Sequence, residues 1–167
     1  MFERFGGEAR RAVERAQERA RLLGAERVEP EHLLLVLTCG GSGDAASRAL
    51  AEAGIDDGAA VADAIEQDLV ARLEVVGVPA SVVASVPTHP RGDRPPISLA
   101  ARNALERSLR EAVRTGSRRI GTEHLLLGVL RPPTAIVARI LSRLDVDTER
   151  LVALVHVEIA SARRRCA

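Results

Sequence analysis

The stretch Glu31-His32-Leu33-Leu34-Leu35 recurs letter for letter as Glu123-His124-Leu125-Leu126-Leu127, ninety-two positions further along. At the same offset Ala9, Arg10, Ala12, Glu14 and Arg15 fall on Ala101, Arg102, Ala104, Glu106 and Arg107. Ala20, Gly24 and Arg27 likewise fall on Ala112, Gly116 and Arg119. No gap is needed from Phe5 to Thr38. Beyond Thr38 the offset shortens by one residue, and Leu50, Ile55 and Val61 pair with Leu141, Val146 and Val152. Self-similarity at a fixed offset makes the chain two copies of one unit, and that repeat sets the architecture.

Each copy reads as helices. From Glu8 to Leu23 the residues Ala9, Ala12, Val13, Ala16, Ala20 and Leu23 recur at three- and four-residue steps, an amphipathic pattern that Gly24 ends. Pro30 suits the first position of a second helix, and Glu31 to Thr38 is a short apolar element stopped by Gly40-Gly41-Ser42-Gly43. A third helix is expected from Asp44 to Ala53 with Gly54 closing it, and a fourth from Asp56-Asp57 towards Leu73. The second copy repeats the plan near Leu99 to Thr115, Thr122 to Leu130, Thr134 to Leu144 and Asp147 to Arg163, with Pro132-Pro133 in place of the glycine-rich turn. Valine runs at 75–78 and 82–83 abut prolines and have no strand partners, so no sheet is expected.

These elements predict an all-α fold of two tandem four-helix repeats, residues 1–76 and 97–167, packed with pseudo-twofold symmetry into one globular domain. Residues 77–96, with five prolines and two glycines, read as a linker. One copy alone is too small to bury its apolar surface well. The two EHLLL helices are apolar on nearly every side and belong at the centre.

Composition narrows the chemistry. With 46% apolar residues among 167, the chain can build a core, and Phe2 and Phe5 as its only aromatics make that core aliphatic. Every basic residue is arginine. Without lysine there is no P-loop lysine, Schiff-base lysine or lysine general base, which excludes a Walker A ATPase site in this chain. A net charge of +1 gives no bulk attraction for nucleic acid, and Arg118-Arg119 and Arg163-Arg164-Arg165 read as solvated helix ends. Cys39 and Cys166 fit neither a disulfide framework nor a CxxC site, the N-terminus lacks a secretion signal, and no stretch is long and apolar enough for a bilayer. A cytoplasmic setting without membrane contact is expected. His32 and His124 each follow a glutamate but lack an i,i+4 partner or clustered Cys and Asp, so they read as core residues bonded at a helix start. Ser42 and Ser98 sit in no nucleophile motif. No catalytic residue, metal or cofactor is expected. A small enzyme built on the two histidines ranks last, with stoichiometric metal as its marker.

Two ordered copies of a long first helix followed by a G-x-E-H-[LI]-L-L-x-[LV] type segment resemble the Clp N-terminal repeat domain at the front of ClpA, ClpB and ClpC-type AAA+ unfoldases. Met1-Phe2-Glu3-Arg4-Phe5, Ala16-Gln17-Glu18, Ser108-Leu109-Arg110-Glu111-Ala112 and Gly121-Thr122-Glu123-His124-Leu125-Leu126-Leu127-Gly128 look most like the ClpC type. The resemblance spans the chain and stops where ATPase modules would begin, which implies a stand-alone N-domain.

The resemblance further implies a non-catalytic binding module for protein substrates and adaptors of a Clp unfoldase, able to modulate the machine or act as a decoy. It also implies ligands of phosphoarginine or cyclic peptide antibiotic type. Its phosphoarginine pockets use the motif glutamate, Glu31 or Glu123 here, with a hydroxyl residue at the start of the long helix. Copy two keeps Ser98, Thr122 and Glu123, whereas copy one has Gly6 and Pro30. The dipole of a short helix explains Glu31 and Glu123 as well. The antibiotic surface maps to Phe2 and Ile97, and anchoring of the N-terminus is the plainer role for Phe2 and Phe5. Arg10 and Arg102 recur and could line a groove, as solvated helix faces also would. The alternatives are a regulator touching nucleic acid through arginine-rich helices, and the N-terminal fragment of a longer Clp ATPase. Arg163 to Ala167 reads as a natural end.

Overall fold

The computed structural model describes residues 2–40, 43–77, 79 and 94–165, so the expected linker lies for the most part outside the described residues. Among the described residues eight α-helices follow a short 3-10 turn at Phe2–Arg4. Copy one supplies α1 (Gly7–Leu22), α2 (Pro30–Thr38), α3 (Ala45–Glu52) and α4 (Gly58–Val75). Copy two supplies α5 (Leu99–Arg114), α6 (Thr122–Leu130), α7 (Ala135–Arg143) and α8 (Thr148–Arg165). Among the described residues there is no strand, and none of these helices is by itself long and apolar enough to cross a membrane.

Local chemistry starts and stops these helices. Asp44 accepts the amide of Ser47, Asp57 those of Ala59 and Ala60, Ser98 that of Ala101, and Asp147 those of Glu149 and Arg150, each satisfying first-turn donors that a helix leaves unpaired. Gly54 ends α3 at φ 92, a left-handed conformation that glycine adopts without penalty. Asp145 takes the equivalent place after α7 at φ 55. The two turns close alike, with Ile55 N–H donating to Leu50 O and Val146 N–H to Leu141 O, both at 2.9 Å.

Every residue of α2 is buried, and only Glu123 of α6 is not. Leu33, Leu34, Leu37, Leu125, Leu126, Leu127 and Leu130 are fully buried, at about 1.5–3 kcal/mol each for removal from water. Such helices cannot rest on a surface. They pack against each other, and the remaining helices surround them. The long helices α1 and α5 lie on them through small residues, Ala9, Ala12, Ala16 and Ala20 on one side and Ala101, Ala104, Ser108 and Ala112 on the other.

The copies are interlocked rather than stacked. α3 of copy one packs on α8 of copy two, and α4 of copy one on α7 of copy two. Matching ion pairs seal these contacts: Arg48 meets Glu158 at 2.7 Å, and Arg139, the counterpart of Arg48, meets Asp68 at 2.6 Å. Asp68 is buried, and Arg139 together with Arg72 supplies its countercharge. Reciprocal main-chain bridges add to this. Gly6 N–H donates to Ile120 O and Ile120 N–H to Arg4 O, while Ser98 N–H donates to Val28 O and Val28 N–H to Pro96 O, all within 2.8–3.0 Å. The expected pseudo-twofold is thus realised by exchange of contacts between the copies.

α5 and α6 approach so closely that a Cβ at Gly128 would stand 2.2 Å from Ser108 Oγ and 2.3 Å from Ala104 O. Copy one has Val36 at this place, so the approach is particular to copy two. Gly128→Ala, a change that favours helix on an exposed face, is expected to lower unfolding free energy by about 1–3 kcal/mol through overpacking. Urea denaturation of the two proteins measures it, and an unchanged midpoint would show that the helices can separate without loss.

Candidate functional site

The main-chain bridges decide which candidate residues meet. The start of α5 lies against the turn into α2, and the start of α1 against the turn into α6. Ser98 and Glu123, grouped in one pocket by the repeat alignment, therefore sit at different turns. Ser98 Oγ caps α5 by accepting from Ala101 N–H and donates to Glu29 Oε2 at 2.7 Å. Glu29 is a residue the sequence reading passed over, and its position just before Pro30, where an oxygen-bearing side chain can serve a helix start, was the available signal.

Each turn is held by a histidine. His32 Nδ1 accepts from Glu29 N–H at 2.9 Å, and His124 Nδ1 accepts from Gly121 N–H at 3.0 Å. Both rings do at the third helical position what Glu or Gln does in a capping box. His124 is buried, and its Nε2 lies 2.9 Å from Thr115 Oγ1, while Glu123 Oε1 lies 3.0 Å from Nδ1. The order Thr115, His124, Glu123 looks like a hydrolase triad, but its polarity is reversed. An Nδ1 that accepts from an amide leaves the ring proton on Nε2, so Thr115 receives a hydrogen bond instead of losing a proton to a base. Thr115 in turn donates to Glu111 O. The histidines cap helices.

The two motif glutamates differ. Glu31 is 7% exposed, and its Oε2 has no hydrogen-bond partner among the described residues. Burial pushes its pKa up, with Glu29 and Asp68 adding repulsion. Glu123, with its side chain 21% exposed, is the more accessible of the two, and against burial its own amide and the Arg48 guanidinium favour the carboxylate. Beside Glu31 stand the carboxylates of Glu29 and Asp68, and Glu29 already occupies the Ser98 hydroxyl. Around Glu123 the neighbouring turn residues are Gly121 and, across the bridge, Gly6, which caps α1 with no side-chain hydrogen bond.

The other candidates disperse. Thr122 is buried and donates to Asp44 Oδ1 at 3.0 Å, so its hydroxyl ties α3 to α6. Ile97 packs partly buried on the core and bridges to Val28. Phe5 is buried beside Ile120, as an N-terminal anchor should be; the side chain of Phe2 lies outside the described residues. Arg10 lines a cleft of about 390 Å³ with Glu3, Val13, Glu14, Gln17 and Arg94. Arg102 is exposed on α5 and does not join it. Asp68, Arg139 and Arg72 form a charged cluster, and no local sequence pattern announces it.

Burial lowers the pKa of His32 from 6.5 to about 4. The unfolded chain therefore takes up one more proton than the folded one between those values. This contribution to stability is complete above pH 6.5 and declines, by roughly 3 kcal/mol in all, as pH falls to about 4. His32→Gln keeps a side-chain acceptor at the capping position and is expected to flatten that part of the curve. Urea titrations across the interval compare the two slopes; equal slopes would remove His32 as the acid-sensitive group.

The sequence profile of the family described as "Clp repeat (R) N-terminal domain" matches residues 4–89 and 97–165. The ATP-dependent Clp protease ATP-binding subunit ClpA homolog of Guillardia theta is 36% identical over 152 residues, covering 90% of this chain and 16% of that protein. The chloroplastic chaperone protein ClpC1 of Arabidopsis thaliana is also 36% identical over 152 residues, covering 90% of this chain and 14% of that protein. The chain thus spans roughly a seventh of the length of these relatives. Among solved structures, the N-terminal domain of the caseinolytic protease associated chaperone ClpD from Arabidopsis thaliana superposes with a TM-score of 0.70, covering 96% of this chain and 97% of that one. At 20% identity that likeness is one of fold. With both repeats matched by the profile and the interlocked helices shared with a solved relative, the chain belongs to the Clp repeat N-terminal domain family.

Proposed function

We propose that this chain is a non-catalytic, cytoplasmic recognition module that docks protein substrates or adaptors of a Clp unfoldase, and that phosphoarginine is the chemical mark it reads. The observation that carries this reading is the turn at Glu123. There an ionised, partly exposed carboxylate stands beside a helix start, that of α1, whose first-turn amides receive no side-chain cap. A guanidinium pairs with the carboxylate, and a phosphate takes the uncapped amides together with the favourable end of the helix dipole. Gly6 and Gly121 leave the approach uncovered by side chains of their own. The turn at Glu31 is less suited to such a ligand, because Glu29 already sits on Ser98, whose hydroxyl caps the start of α5, and because the Glu31 carboxyl is buried and its pKa raised. Recognition without turnover can deliver cargo, modulate the unfoldase or withhold cargo from it.

Calorimetric titration with phosphoarginine, with arginine as control, tests the reading. Saturable binding to the intact chain, weakened about tenfold or more in Glu123→Ala and unchanged in Ser98→Ala, is the expected result. Binding that survives Glu123→Ala, or no saturable binding, rejects phosphoarginine as the ligand of this turn.

A further inference from the structure

A second surface lies in copy two, outside both motif turns. The end of α6, the Pro132-Pro133 turn, the last part of α5 and the first half of α8 enclose an open groove of about 970 Å³. Its apolar wall includes Pro132, Pro133 and Val152, and Arg114, Arg131 and His156 cluster at one end. Arg114 Nη2 donates to His156 Nε2 at 2.6 Å and pairs with Glu111 at 2.7 Å. His156 accepts that bond only as the neutral ring; partial burial, Arg114 and Arg131 all lower its pKa, against Glu111. Glu149 lies about 10 Å away along α8, two turns towards its start.

The repeat provides an internal control for this cluster. In copy one the positions of Arg114 and His156 are held by Leu22 and Ile65, and the same helices still form. The fold therefore does not require an arginine and a histidine there. Of the charges near His156, Glu111 is the one anion, and Arg114 already engages it. Arg131 is exposed, and no ion pair is formed with it among the described residues. An apolar wall that ends in two guanidinium groups and one paired carboxylate complements an anion carried next to apolar side chains.

The geometry points to this groove as a docking site for an extended acidic peptide segment of a partner protein, its leucine- or valine-like side chains on Pro132, Pro133 and Val152 and its carboxylate on Arg114 and Arg131. The groove shares no residue with the turn at Glu123, so the two readings stand or fall separately.

Fluorescence anisotropy with a fluorescein-labelled peptide of alternating leucine and glutamate, its glutamine isostere and its lysine analogue tests the proposal on the intact chain. The glutamate peptide is expected to bind saturably, and about tenfold more tightly than either analogue. Arg131→Ala, on the exposed rim, and the pair Arg114→Leu with His156→Ile, which installs the residues of copy one, each weaken it about as much. Amide shifts on titration fall on α8 and the end of α6. Phosphoarginine binding in Arg131→Ala stays as in the parent, which separates the two sites. Equal affinity for glutamate and glutamine peptides, affinity unaffected by both variants, shifts confined to other helices, or no binding of the glutamate peptide overturns the proposal.

Discussion

Two nine-residue helices that are apolar on nearly every face constrain everything else in this molecule. An ordinary amphipathic helix needs cover on one side. α2 and α6 need it all round, and no single copy has enough surface to give it. The answer is reciprocal: each central helix is enclosed by elements of both copies, and the exchanged ion pairs and main-chain bridges follow from that enclosure. Hydrophobic burial supplies the drive, while the hydrogen bonds of Val28 with Pro96 and Ser98 and of Ile120 with Arg4 and Gly6 fix the register in which it is achieved.

This register also explains why the candidate sites lie where they do. A bridge that pins the start of a long helix to the turn before a central helix creates a place where one chain end offers amide dipoles and the other a carboxylate. The repeat makes two such places, and small differences separate their chemistry. Glu29 against Gly121 and Ser98 against Gly6 turn one into a carboxylate-rich, internally satisfied turn and leave the other uncapped. Burial then exaggerates the contrast, raising the pKa of Glu31 while the surroundings of Glu123 keep it ionised.

Most of the helical plan was legible in the chain because three- and four-residue periodicity, glycine stops and Asp or Ser caps are local signals. The starts and ends of α2, α6 and α5 agree with the expected ones to within a residue. Partner choice was not legible. Alignment of the copies shows that Ser98 corresponds to Gly6 and Glu123 to Glu31, but equivalence in sequence does not tell which copy an element touches. Reading Ser98 with Glu123 assumed contact within a copy, and the bridges instead join Ser98 to Val28 and Glu29. The capping role of His32 and His124 was expected only in outline, because histidine at the third helical position lies outside the usual Glu or Gln signature. The Arg114–His156 contact joins residues forty-two positions apart and depends on how α5 and α8 cross.

The exchange of contacts has a consequence for how such a chain can change over generations. Were the two halves separate, identical molecules, any substitution in one would appear in its mate, and the two turns would have to drift together. Joined in one polypeptide, they are free to part company, provided that the shared interior is kept. The central EHLLL segments carry the same letters in both copies, whereas the rim residues around them differ, glutamate against glycine, leucine against arginine and isoleucine against histidine. A covalent link has turned a symmetric assembly into a frame for two unlike surfaces.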